Sequence, residues 1–138
     1  MTPILEMKSI TKEFPGVKAL DEVTFEVNTG KIHCLVGENG AGKSTLMKVL
    51  SGVYPYGQYQ GEIFLDGKEV RFRSISESEQ AGIAIIYQEF ALVPEMTVFE
   101  NIFLGHEISS SYVVDLNETI KQAGDILRKI RLDVNPEI

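Results

Sequence analysis

Very little in these 138 residues is suited to holding a metal through sulfur or imidazole. There is one cysteine, Cys34, and there are two histidines, His33 and His106. A single thiol excludes an intramolecular disulfide and a cysteine metal cluster. Cys34 sits in an apolar stretch, where a free cysteine is expected to behave as a small buried hydrophobe. The histidines lie far apart with no partner at ligand spacing, and read as surface or satisfied core residues. Basic side chains are also in short supply, with 13 Lys and Arg against 20 Asp and Glu, a net charge of -7. A surface of that sign repels nucleic-acid phosphates, so no nucleic-acid partner is expected. The densest basic stretch, Arg128-Lys129-Ile130-Arg131, closes a predicted helix, where cations offset the negative end of the helix dipole. No run approaches about 18 apolar residues, and the first ten residues lack the apolar centre of a signal peptide. The expectation is a cytoplasmic chain with no direct membrane insertion, so any membrane role must come through a partner. With 43% hydrophobic and 24% charged residues, the composition is that of one ordinary globular domain.

The pattern along the chain is mixed. Leu5 to Ile10 and Val23 to Val27 alternate apolar and polar residues, as half-buried antiparallel strands do. Ile32-His33-Cys34-Leu35-Val36 is a short apolar run that ends in a glycine-rich loop, which predicts a buried strand feeding a turn into a helix. That helix covers Thr45 to Leu50. Tyr54 to Gly61 has no period and reads as an exposed loop. Glu62 to Asp66 and Glu69 to Phe72 predict a hairpin through Asp66-Gly67. Ser76 to Ala81 predicts a short helix stopped at Gly82, and Ile83 to Tyr87 a second buried strand. Thr97-Val98-Phe99-Glu100 is a capping-box pattern opening a helix that runs to about Leu104. In Asn117 to Ile130, Ile120, Ala123, Leu127 and Ile130 fall on one helix face.

The loop is the feature with chemistry in it. Gly37-Glu38-Asn39-Gly40-Ala41-Gly42-Lys43-Ser44 matches G-x-x-x-x-G-K-[ST] without a mismatch. Glycines at 37, 40 and 42 let the backbone bend closely around phosphate oxygens. Successive amide N–H groups form an anion nest, and the helix that follows through Thr45 adds its positive end. Lys43 supplies a point charge for the β and γ phosphates, and Ser44 offers a hydroxyl to Mg²⁺. The other reading is an ordinary glycine-rich turn; the predicted strand immediately before the loop and helix immediately after it weigh against that.

The wording from Val36 to Leu46, and again at Ile85-Ile86-Tyr87-Gln88-Glu89, resembles the ATP-binding cassette (ABC) ATPases. Leu92-Val93-Pro94-Glu95-Met96-Thr97-Val98 and Glu100-Asn101-Ile102-Phe103-Leu104-Gly105 are similar to the sugar importers of the ribose, xylose and galactose type, whose ATPase subunit carries two cassettes in one chain. The resemblance implies an α/β fold: a P-loop NTPase core with an antiparallel β subdomain. The whole of 1–138 would be the N-terminal part of a first cassette, cut before its signature motif and Walker B strand. The β layer and P-loop core would occupy about 1–90, and the start of a helical subdomain about 91–138. It implies ATP and Mg²⁺ as ligands, with Gly37, Glu38, Asn39, Gly40, Ala41, Gly42, Lys43, Ser44 and Thr45 on the phosphates. Phe14, in Thr11-Lys12-Glu13-Phe14-Pro15-Gly16, would stack on adenine; the plainer reading is a core phenylalanine at a strand end. Gln88 would reach Mg²⁺ and the attacking water, with Lys43 as its catalytic companion and Ser44 as a metal ligand; the plainer reading is a polar strand cap. Implied partners are the transmembrane permease subunits of a sugar importer, against which Ala91 to Met96 would lie, and a second cassette packed head to tail.

Tyr87 stands where such importers often have histidine. Leu50-Ser51-Gly52-Val53 starts like a signature and does not continue, and Ile63-Phe64-Leu65-Asp66-Gly67 reads better as a hairpin than as a Walker B strand. The expectation is therefore a chain that binds nucleotide and does not hydrolyse it alone. A non-transport ABC module shares the loop and remains the alternative. No Asn-Lys-x-Asp motif occurs anywhere, which argues against a GTPase.

Overall fold

Two threonine hydroxyls shape the first hairpin. Strands β1 (Leu5–Phe14) and β2 (Val17–Val27) pair antiparallel across the turn at Pro15 and Gly16. Lys8 and Ser9 of β1 together face Thr24, and Ser9, at φ 50°, donates its N–H to the Thr24 Oγ1 at 3.2 Å. Asp21 and Glu22 of β2 in turn face Thr11, and Glu22, at φ 49°, donates its N–H to the Thr11 Oγ1 at 2.9 Å. Each bulge would leave an amide unsatisfied, and the hydroxyl opposite accepts from it. The bulges also shift the phase of burial, so that Leu5 and Met7 are buried and then Ile10 and Lys12.

In this computed structural model, residues 3–87, 92–110 and 113–138 are described. They fall into two compact units, 1–86 and 87–138. In the first, a four-stranded antiparallel sheet has the order β2-β1-β3-β4, with β3 (Gln60–Leu65) and β4 (Lys68–Val70) as its second hairpin. Asp66 and Gly67, at φ 48° and 73°, make the turn with the positive φ that Asp-Gly favours. Gly61, at φ 101°, lies over the first bulge, where a β carbon would come within 2.6 Å of the Ser9 carbonyl oxygen.

Helix α1 (Lys43–Leu50) lays Leu46, Val49 and Leu50 on this sheet, against Leu5, Met7, Ile10, Leu20, Tyr59 and Ile63. Eight residues are too few for a stable isolated helix. Burying each Leu or Val side chain contributes roughly 1.5–3 kcal/mol, so packing supplies what propensity does not. Helix α2 (Ile75–Gln80) is capped by Ser74, which accepts from the Glu77 N–H. It is tied to the end of α1 by the buried Ser78, whose hydroxyl donates to the Ser51 carbonyl at 2.7 Å.

In the second unit, α3 (Val98–Phe103) and α4 (Leu116–Lys129) pack together, with a small ribbon of β5 (Ser109–Ser110) and β6 (Val113–Val114) between them in sequence. The capping box at Thr97 and Glu100 is fully formed. The N–H groups of Val98 and Phe99 donate to the carbonyls of Ile138 and Pro136. Asp115 caps α4, which buries Ala123 and Leu127 and closes on Arg128 and Lys129.

Several expectations need correction. Neither Ile32–Val36 nor Ile83–Tyr87 forms a strand. A strand exists through its ladder of hydrogen bonds, and among the described residues neither segment has a ladder partner. Ile32, Val36 and Ile86 are accordingly almost fully exposed, and Cys34 is exposed rather than buried. Tyr54 to Gly61 is not simply an exposed loop, because Tyr59 enters the core. Ile130 lies just past α4 and is exposed.

Candidate functional site

The loop between Val36 and α1 folds back on itself. The Ala41 N–H donates to the Glu38 carbonyl at 3.2 Å, which makes the first bend. Gly40 and Gly42 follow at φ 85° and 88°, in the left-handed region that side chains disfavour. Lys43 then reaches back over the loop and donates to the carbonyls of Gly37 at 2.6 Å and Glu38 at 2.7 Å. An ammonium has three N–H donors. Two are used on the loop, which leaves a third for an incoming anion.

Space in the loop matches that use. A β carbon on Gly37 would press on the Ala41 Cβ at 3.3 Å and touch the Lys43 Nζ at 3.9 Å, so glycine there keeps the hollow wider. Gly42 is the N-cap of α1, and no side chain accepts from the first-turn amides. The first intrahelical bond runs from the Leu46 N–H to the Gly42 carbonyl. The turn before it presents free N–H groups together with roughly half a positive charge from the helix dipole. Ser44 is exposed on that turn and Thr45 half-buried. These features fit a phosphate chain. Among the described residues there is no cluster of three His, Cys, Asp or Glu side chains. A hard cation here would be held by the Ser44 hydroxyl, phosphate oxygens and water.

A third bulge ties the loop to the sheet. Lys12 pairs with Leu20 and Glu13 with Lys18, which leaves Ala19 without a ladder partner. Its carbonyl turns onto Gly42, and the Leu20 Cδ2 lies 2.9 Å from the position of a β carbon there. At the same end of the hairpin Phe14 pairs with Val17, two residues from Ala19. The Phe14 ring is half-buried and meets the Tyr54 ring edge-on, with centroids 5.5 Å apart. The hairpin thus carries the expected base-stacking aromatic and, through Ala19 and Leu20, touches the phosphate loop at Gly42.

Gln88, expected to serve the metal and the attacking water, lies outside the described residues, as does Ala91. His33 packs edge-on against Phe25 at 4.9 Å, a structural contact. Two residues beside Phe14 were not singled out from the sequence. Lys12 and Tyr54 contact it directly, with the Lys12 Nζ 5.0 Å from the Phe14 centroid. The only signal in the sequence was the position of Lys12 two residues before Phe14 on an alternating strand.

The loop's neighbourhood has counterparts among known proteins. The ABC transporter family model matches residues 20–136. The chain belongs to the ABC transporter family. It is 66% identical to the xylose import ATP-binding protein XylG of Geobacillus kaustophilus over 97% of this chain and 27% of that protein. It is 59% identical to the L-arabinose transport ATP-binding protein AraG of Geobacillus stearothermophilus over 96% of this chain and 26% of that protein. The chain therefore spans about a quarter of the length of these curated relatives. Among solved structures it is similar to MJ1267, an ATP-binding cassette of an ABC transporter, with a TM-score of 0.80 and 27% identity over 99% of this chain and 57% of that one. The ADP conformation of the same cassette gives 0.79 and 28% over the same shares. The expected P-loop fold of the ABC ATPase type is borne out, with the antiparallel β subdomain formed by β2-β1-β3-β4. Among the described residues no helix is long and apolar enough to cross a membrane.

Proposed function

We propose that this ABC chain grips the triphosphate of ATP between the loop at Gly37–Thr45 and the N-terminus of α1, with Phe14 stacked on the adenine. The observation that carries this reading is the Lys43 ammonium held over the loop by the Gly37 and Glu38 carbonyls, in front of an uncapped helix end. Lys43 then neutralises the β and γ phosphates, and the first-turn amides of α1 donate to their oxygens. Ser44 would hold Mg²⁺ together with phosphate oxygens and water, and Gln88 would act on the metal and the attacking water as the resemblance implies. Residues 1–90 form the β layer and phosphate core of one cassette, and 91–138 the start of its helical subdomain.

The whole protein powers import of a sugar, by likeness to relatives named for xylose and arabinose. It works on the cytoplasmic face of the membrane through permease subunits, with a second cassette packed head to tail. The 138 residues alone bind nucleotide without turning it over, because the groups they bring to the phosphates grip and orient rather than complete a site for in-line attack.

Titration of the chain with MgATP tests the reading, with phosphate release followed in parallel. Lys43→Ala removes a charged donor worth about 1.5–3 kcal/mol, so affinity should fall roughly ten- to a hundredfold. Binding unchanged by that substitution would remove the loop from the nucleotide site. Turnover by the wild-type chain that Lys43→Ala abolishes would overturn the claim that these residues only bind.

A further inference from the structure

Lys12 is 8% exposed, and a lysine that deep is ordinarily paired with a carboxylate. Among the described residues none meets it. Its Nζ donates to the Gln58 carbonyl at 2.7 Å. It lies 5.0 Å from the centroid of Phe14 and 4.9 Å from that of Tyr54, and those two rings meet edge-on at 66°. The backbone that carries the Tyr54 ring is anchored, because its N–H donates to the Lys48 carbonyl of α1 at 3.1 Å. Lys12 and Phe14 stand two apart on β1, which brings them to one side of the strand.

We propose that Lys12 is the positioning residue for the nucleotide base: its ammonium, held by Gln58, clamps the Phe14 ring against Tyr54. The proposal rests on the reading of Phe14 as the base-stacking aromatic. A half-exposed phenylalanine at a strand end is free to sample several ring orientations. A desolvated cation drawn to the ring's negative face selects one of them. A ring has two faces, and the one beneath Lys12 is taken, so the base is directed to the other. Ordering the ring before the ligand arrives removes a cost that binding would otherwise carry.

The experiment compares ATP with inorganic tripolyphosphate, which carries the phosphates and no base, on the 138-residue chain. Lys12→Met keeps the buried stem and loses the charge. It should weaken ATP binding roughly three- to thirtyfold, the span of cation–π contacts, and leave tripolyphosphate binding unchanged. Lys12→Arg, which keeps the cation, should restore most of the loss. Tyr54→Leu removes the second ring while leaving the Lys12 ammonium and its bond to Gln58 in place, and should show the same split if Lys12→Met fails to fold. The clamp is overturned if Phe14→Ala weakens ATP while Lys12→Met and Tyr54→Leu do not, and the reading of Phe14 then survives. It is overturned as well if the Lys12 and Tyr54 variants weaken both ligands together, since the cluster then only supports the fold. If Phe14→Ala leaves ATP binding unchanged, the stacking role of Phe14 is wrong and the clamp goes with it.

Discussion

The backbone carbonyl of Ala19 occupies the space that a β carbon on Gly42 would need. Ala19 is the unpaired residue of a bulge in β2, and Gly42 is the N-cap of α1. The sheet therefore sets where the phosphate helix begins, through a contact that only glycine permits.

Gly42→Ala should be costly for two reasons, the left-handed φ of 88° and the collision with Ala19 and Leu20. The strain alone is about 1–3 kcal/mol, and relief of the collision moves the first turn of α1. We expect a lower melting temperature and a loss of ATP affinity of at least roughly tenfold, the equivalent of 1.4 kcal/mol. Gly40→Ala is the internal comparison, since it shares a positive φ of 85° and has nothing within 4 Å of its β carbon. It should cost only the same backbone strain, about 1–3 kcal/mol. Equal losses in the two variants would mean that the Ala19 contact is unimportant.

Ser78→Ala should destabilise the first unit without changing the phosphate loop. Ser78 and Ser51 are 1% and 3% exposed, and the single proton of the Ser78 hydroxyl is shared between the Ser51 carbonyl at 2.7 Å and the Ile75 carbonyl of its own helix at 2.8 Å. Removing it leaves a buried carbonyl one donor short, at about 1–3 kcal/mol. Denaturant unfolding measures this. A midpoint unmoved by the substitution would show that α2 is not anchored through this bond.

The capping box of α3 should weaken in acid. The Thr97 hydroxyl, and after it the Thr97 N–H, hold the Glu100 carboxyl below its usual value of 4.5. A carboxylate depressed in the folded state contributes stability that is fully present above its unfolded pKa and is lost as pH falls through the folded value. Helix α3 should therefore be at full strength above about pH 5 and fray progressively below the Glu100 midpoint. Amide exchange of residues 98–103 against pH reports the fraying, and Thr97→Ala should move the Glu100 titration upward. A Glu100 midpoint identical in the two proteins would contradict the box.

What could be read from the sequence was what depends on near neighbours. The loop at 37–45, the Asp66-Gly67 turn, the Thr97 cap and the basic end of α4 are set by residues close together in sequence. Strand status is different, because a strand is made by its partner. The apolar runs Ile32–Val36 and Ile83–Tyr87 look like buried strands and have no ladder here among the described residues. The surroundings of Phe14 were hidden for a related reason. Lys12 is held by a carbonyl 46 residues away, in a segment with no periodicity to announce Tyr59 as core or Tyr54 as a ring partner. The bulge at Ala19 was equally invisible, since it appears only when two strands are laid side by side.

Helix α1 is eight residues long, about 12 Å at 1.5 Å per residue. One end leaves its first-turn amides uncapped, and near the other the Lys48 carbonyl accepts from the backbone of Tyr54, whose ring meets that of Phe14. If ATP binds as proposed, the helix works as a gauge block between the two ends of an elongated ligand. Gaining or losing a single residue within it would swing one end by about 100° relative to the other. Its length is therefore under the same demand as the glycines before it, although no individual side chain in the helix records that demand.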